Sequence, residues 1–167
     1  VRSPHAHALI RSVDIDSARK VPGVHAILTG ADLPAFARFG RRLQDWPVLA
    51  RERARFIGDR VAAVAAETRQ AAEEAAALVQ VDYEELPAVA SPGDALKPGA
   101  PIIHPEADQY TYLGGKRPPV PHPNVQGQVI VTVGTDDERT AAFKNAYRVF
   151  EHTFTTQEQR IAKGDPR

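Results

Sequence analysis

Eight of the chain's fourteen prolines fall between residues 92 and 124: Pro92, Pro98, Pro101, Pro105, Pro118, Pro119, Pro121 and Pro123. Each ring fixes φ and removes an N–H donor. A segment built this way is expected to be neither a central strand nor a helix, and to run as an extended connector over the surface. It separates two stretches of the 167-residue chain that each carry regular apolar periodicity. That length suits one domain, or one domain plus an arm.

Before the connector, "ALIRSVD" at 8–14 fits a strand loosely, and Asp16 can cap a short helical turn that Pro22-Gly23 stops. "VHAILTG" is a β-rich run ended by Gly30, and Asp32 with Pro34 opens another turn. Residues 35–47, "AFARFGRRLQDWP", form a loop with the aromatics Phe36, Phe39 and Trp46 and the arginines Arg38, Arg41 and Arg42. Its length is unusual for a plain connection. Arg55 to Ile57 reads as a strand end, and Gly58-Asp59 supplies a turn through the φ freedom of Gly and the side-chain acceptor of Asp. Val61 to Ala66 is expected to be a buried strand. Thr68 then caps a helix from Arg69 to Gln80, on which Ala72, Ala75, Ala76 and Val79 share one face. A strand resumes over Val79 to Tyr83, giving the order β-α-β.

After the connector, "VQGQVIVTV" at 125–133 alternates, and Gly134 ends it. Val129, Val131 and Val133 alternate with Ile130 and Thr132, so both faces carry apolar groups and both expect cover. Thr135 or Asp136 caps a helix through Ala146, with Asp137 and Glu138 at its positive end. Tyr147 to Thr155 alternates again, which makes a second β-α-β unit.

Composition removes several classes of function. Lys+Arg and Asp+Glu both number 21, so bulk charge gives no argument for nucleic acid or an anionic membrane. No apolar run approaches the ~18 residues that span a bilayer. Cys is absent, which excludes disulfides, thiolate-bound iron–sulfur clusters and a Cys nucleophile in this chain, and agrees with the cytoplasmic setting expected here. The start at Val1, with no Met and no leader-like segment, suggests a fragment of a longer protein.

No residue set forms a self-contained catalytic apparatus. His5 and His7 would share a strand face as a metal pair could, but no third ligand is placed beside them, and packing or backbone hydrogen bonding is the favoured reading. Asp14/Asp16 and Glu84/Glu85 are acid pairs without the opposed environments that acid–base work requires. Gly114-Gly115-Lys116 lacks Walker spacing and reads as a turn, and Thr135 to Glu138 is a capping pattern.

The order of segments resembles a known family. "RSPHAHALIRSVDIDSARKVPGVHAILTGADLP" and "PVLARERARFIGDRVAAVAAETRQAAEEAAALVQVDYEELPAV" look like the N-terminal α/β hammerhead domain of the molybdenum-binding large subunit of xanthine dehydrogenase and aldehyde oxidase relatives. The Ser-Pro-His-Ala-His start, the Val-Pro-Gly-Val turn, the Gly-Asp before the apolar strand and the Asp-Tyr-Glu-Glu-Leu-Pro ending carry the likeness, from Arg2 to about Leu96. Residues 124–159 resemble the family's next segment, which leads into the cofactor-binding domain. The resemblance implies an α+β fold: a hammerhead over 1–97 with a mixed sheet and packed helices, the connector over 98–123, and a β-α-β segment over 124–167.

The resemblance also implies a chemistry, oxidation at an aldehyde or electron-poor heteroaromatic carbon. A water-derived oxygen enters through a molybdenum–pterin (molybdopterin) centre, and electrons leave through iron–sulfur clusters, often with flavin (FAD), on partner domains or subunits. Most pterin contacts and the family's catalytic glutamate lie downstream of this sequence, so no catalytic residue carries over and the chain alone is expected to bind no cofactor. "TFTTQEQ" offers Gln159, with Gln157 as the alternative alignment, for the family's glutamine beside the molybdenum centre; the following "RIAKGDPR" departs from the family's continuation. The family's equivalent of the 35–47 loop approaches the substrate funnel, which makes Phe39 and Trp46 the candidate funnel contacts. Two readings follow: a structural and substrate-channel domain of a molybdenum hydroxylase, whose partners are the missing cofactor domain and the iron–sulfur and flavin units, or a free-standing binding or assembly module. Self-association into a homo-oligomer is a further expectation.

Overall fold

The computed structural model describes residues 1–35, 37–41 and 43–154. In chain order its elements are β1 (Ala8–Asp14), a 3-10 turn at Ala18–Lys20, β2 (Val24–Thr29), a 3-10 turn at Gly30–Asp32, β3 (Arg38–Phe39), β4 (Leu43–Gln44), β5 (Trp46–Pro47), β6 (Arg53–Ala54), β7 (Ala62–Ala66), α1 (Arg69–Leu78), β8 (Gln80–Glu85), α2 (Pro92–Ala95), a 3-10 turn at Ala107–Gln109, β9 (Thr111–Tyr112) and α3 (Asp136–Asn145). They divide between two compact units, Val1–Gln128 and Val129–Arg167. Among the described residues no helix is long and apolar enough to cross a membrane.

The first unit is α+β. β1 is flanked by β6 and β8, and β2 pairs with β7. Where a mixed sheet was expected, every ladder among the described residues is antiparallel, here and in the short ladders β3–β5 and β4–β9. The reason lies in α1. It joins β7 to β8, but β7 belongs to the β2 sheet and β8 to the β1 sheet, so the β-α-β order spans two sheets and creates no parallel pair.

Local chemistry explains α1. The Thr68 hydroxyl accepts from Ala71 N at 3.1 Å and satisfies one orphan donor of the first turn. Ala72, Ala75, Ala76 and Val79 lie on its shielded side, with Ala75 and Val79 buried beside Ala18, Val21, Ile27 and Ala62. Full burial of side chains such as Ile27 and Val79 stabilises the fold by roughly 1.5–3 kcal/mol each.

The Gly-Asp turn ties the chain's first residues to the segment just before β7. Gly58 adopts φ +91°, which its missing Cβ permits. Its N–H donates to Ser3 O at 2.7 Å, and Ser3 N returns a bond to Asp59 O at 2.8 Å. The buried Asp59 carboxylate accepts from Arg60 N at 2.9 Å and Arg55 N at 3.2 Å.

The proline-rich segment is not the extended surface strap that its composition suggested. Pro92 opens the short helix α2 behind the Ser91 cap, because the first helical position needs no N–H. Further on, Ala107 and Tyr110 are buried with Leu43 in a second small core, and β9 pairs with β4.

In the second unit α3 forms with a capping box between Thr135 and Glu138, as the sequence indicated. The strands expected on either side of it are absent among the described residues: 129–133 and 147–154 are exposed and unpaired. Alternation supplies two apolar faces but no ladder, and a strand needs a neighbour for its N–H and C=O groups.

Candidate functional site

The 35–47 loop folds back on itself through β3 and β5, which set Phe39 directly opposite Trp46. The two rings stack with centroids 5.3 Å apart and planes 18° from parallel. Phe56 meets the edge of Trp46 at 6.0 Å. The Arg60 guanidinium lies 5.2 Å from the Phe39 centroid and 5.6 Å from that of Trp46, within cation–π range. Phe39 remains 40% exposed and Trp46 46% exposed, so a substantial aromatic surface stays in solvent. The sequence brought both residues forward; their pairing and the part of Arg60 come from the structure. Phe36 and Arg42 lie outside the described residues.

Two concavities border this loop. The larger, about 660 Å³, takes its walls from residues that include Leu33, Arg38, Leu49, Arg53, Arg55, Glu106 and Tyr110. The smaller, about 210 Å³, lies between Asp45, Trp46, Phe56, Asp59 and His104. Trp46 lines the smaller cavity, and Phe39 lines neither.

A polar network joins their walls. Glu106 forms an ion pair with Arg55, accepts from the Tyr110 hydroxyl at 2.9 Å and lies 3.6 Å from Arg38. Arg55 also donates to Ile103 O and Arg53 O, both at 3.3 Å. Because the Tyr110 hydroxyl commits its proton to Glu106, it accepts from His104 Nδ1 at 2.8 Å, which fixes a proton on that nitrogen.

Burial alone would raise the Glu106 carboxyl, but Arg55, a backbone N–H, Tyr110 and Arg38 outweigh it and hold the group below its ordinary value. Burial lowers His104, with Arg55 adding to the effect, and burial raises Tyr110 and Asp59. None of Arg55, His104, Glu106 or Tyr110 stood out as a site residue in the sequence. The only local signal for His104, Glu106 and Tyr110 is the cluster of ionisable side chains in "HPEADQY", inside a stretch dominated by proline, and Arg55 has none.

His5 and His7 do not form a ligand pair. The buried His7 donates from Nδ1 to Pro87 O at 2.7 Å and accepts at Nε2 from Arg53 at 2.9 Å, while His5 packs against Tyr83 with ring centroids 4.9 Å apart. Glu84 pairs with Arg11 in solvent, and Asp14 caps Asp16 N. Among the described residues no three His, Cys, Asp or Glu side chains are grouped to hold a metal ion. Gln157 and Gln159, the candidates for the molybdenum side, lie outside the described residues.

The family description "Aldehyde oxidase and xanthine dehydrogenase, a/b hammerhead domain" matches residues 1–87. The chain belongs to this family. The chain is 42% identical, over 121 residues, to the "Carbon monoxide dehydrogenase large chain" of Afipia carboxidovorans, covering 70% of this chain and 15% of that protein. The "Xanthine dehydrogenase" of Dictyostelium discoideum is 42% identical over 96 residues, 58% of this chain and 7% of that protein. Among solved structures, "Reconstituted CO dehydrogenase from Oligotropha carboxidovorans" aligns with a TM-score of 0.67 at 35% identity, covering 88% of this chain and 18% of that one. The hammerhead chain thus spans less than a fifth of the length of these relatives.

Proposed function

We propose that this chain is the hammerhead part of the large subunit of a molybdenum hydroxylase, and that it serves there as a structural domain and as part of the wall of the substrate passage. The observation that carries the reading is the Phe39–Trp46 stack, held in register by a ladder yet close to half exposed. Two such partly exposed rings forgo roughly half of the 1.5–3 kcal/mol that full burial of each would supply. A flat, fixed aromatic face suits contact with a planar or apolar substrate on its way to a reaction centre.

In this reading the complete enzyme oxidises an aldehyde or an electron-poor heteroaromatic carbon. Its molybdenum–pterin group supplies the oxygen transfer, and iron–sulfur clusters, with FAD in some arrangements, take the electrons on partner domains or subunits. The described residues contribute shape and contacts to that assembly, and Gln159, or Gln157, remains the candidate toward the cofactor. A cytoplasmic setting belongs to the same reading.

The test is to change Phe39→Ala and Trp46→Ala in the complete enzyme and to measure kcat/KM for a panel of aldehydes and N-heteroaromatic compounds. Loss of a stacking contact of about 1.4 kcal/mol changes the rate for the affected substrates about tenfold and reorders the panel. An unchanged ranking in folded variants would reduce the pair to local packing.

A further inference from the structure

We propose that the larger cleft, between Leu33, Leu49 and Tyr110, is a binding site for a small carboxylate with an apolar body, gripped by the guanidinium groups of Arg53 and Arg38. The volume, about 660 Å³, falls inside the roughly 300–1,000 Å³ of small-molecule pockets. Four arginines line it, Arg38, Arg51, Arg53 and Arg55, against two acids, Glu52 and Glu106.

Pairing leaves a surplus of positive charge among the partly buried lining residues Arg38, Arg53, Arg55 and Glu106. Glu106 brings one negative charge to two guanidinium groups, Arg55 in direct contact and Arg38 at 3.6 Å, while Tyr110 donates to it as well. Arg53 is positioned differently. Its Nη1 donates to His7 Nε2 at 2.9 Å, and His7 is itself oriented by the bond from Nδ1 to Pro87 O. An imidazole accepting at Nε2 fixes the guanidinium without cancelling its charge. Among the described residues no carboxylate lies within ion-pair distance of Arg53. Its remaining N–H groups form the fork that matches a carboxylate, and partial burial strengthens such a bond.

The remainder of the lining specifies the body of the ligand. Leu9, Leu33, Pro47 and Leu49 give apolar walls, and Gln109 adds a neutral polar group. Arg51 and Glu52 are both exposed and offset each other's charge. The inference rests on these side chains alone and is independent of any part in a substrate passage.

Titration of the chain with benzoate, followed by calorimetry and amide chemical shifts, tests it, with benzamide as the neutral analogue and inorganic phosphate as the competing anion. Benzoate binds saturably, more weakly as salt rises, and at least about tenfold more tightly than benzamide, the margin of one charge-assisted bond. Arg53→Gln and, separately, Arg38→Gln lower benzoate affinity by about the same factor. Arg69→Gln, a change to an exposed helix residue paired with Glu73, leaves it unaltered. Should Arg53→Gln perturb folding through His7, the Arg38 variant decides. Equal binding of benzoate and benzamide, absence of saturation, tighter binding of phosphate than benzoate, or wild-type affinity in the folded variants would overturn the assignment. None of these outcomes bears on the substrate ranking that tests Phe39 and Trp46.

Discussion

The carboxylate of Glu106 is held by the guanidinium of Arg55, and this ion pair ties the proline-rich segment to the chain just after β6. Both side chains are largely shielded, at 23% and 10% exposed, so the pair acts in a medium less screening than water. Removing one partner leaves a charge without its counterpart, and that penalty exceeds the net value of the pair itself. Glu106→Gln is therefore expected to lower stability by about 1–3 kcal/mol, read as a lower urea midpoint at unchanged slope. Replacing both residues by Met recovers part of the loss. A double-mutant cycle with zero coupling would mean that the two groups are independent.

His104 gives the network a pH dependence of defined sign. Burial, then Arg55, lowers its folded value below the ordinary 6.5. As pH falls through that value the unfolded chain takes up the proton first, so stability declines from near neutrality toward the lower folded value. Glu106, also lowered, acts in the same direction in more acid solution, whereas Asp59, raised by burial, loses stability as pH rises through its folded value. The melting temperature is expected to drop between about pH 7.5 and 5.5, and His104→Gln flattens that slope. An identical slope in the variant would place the proton uptake elsewhere.

Gly30 sits where two segments touch. A Cβ there would lie 2.6 Å from both Ala50 O and Arg51 Cα, and backbone atoms cannot swing aside as a long side chain can. Gly30→Ala is expected to cost about 1–3 kcal/mol, the usual scale for overpacking. A wild-type melting temperature would show that the Ala50–Arg51 region yields without penalty.

What could be read from the sequence was local. The Thr68 cap and the Ala72, Ala75, Ala76, Val79 face are set by spacing within a few residues, and they appear as expected. The motif strings placed the chain in its family for the same reason. Strand pairing was not legible. β7 and β8 flank one helix but join different sheets, and which strand each one meets depends on residues far away in sequence. The same holds for the site. Phe39 and Trp46 were visible as costly aromatics in a long loop, whereas Arg55 and Glu106 meet across 51 positions with no periodicity to announce it. Proline content misled at Pro92 because the rule against proline applies to helix interiors and not to the first turn.

The second unit supplies the last expectation. Val129, Ile130, Val131 and Val133 are 71–85% exposed, and in the following residues Phe143, Phe150 and Phe154 are 66%, 71% and 85% exposed. α3 has no buried residue at all, so nothing in its own composition shields this surface. An apolar segment without a ladder partner combines unpaired backbone groups with exposed side chains, and both favour pairing with another chain. In the complete enzyme the cofactor domain is the proposed cover; in the chain alone another copy is the available one. The chain is therefore expected to self-associate with rising concentration, measured by sedimentation velocity, and Val131→Glu with Phe150→Glu returns it toward monomer while the melting of the first unit stays unchanged. A species that remains monomeric at millimolar concentration, with slow amide exchange over 129–133, would mean that these residues are already covered within one molecule.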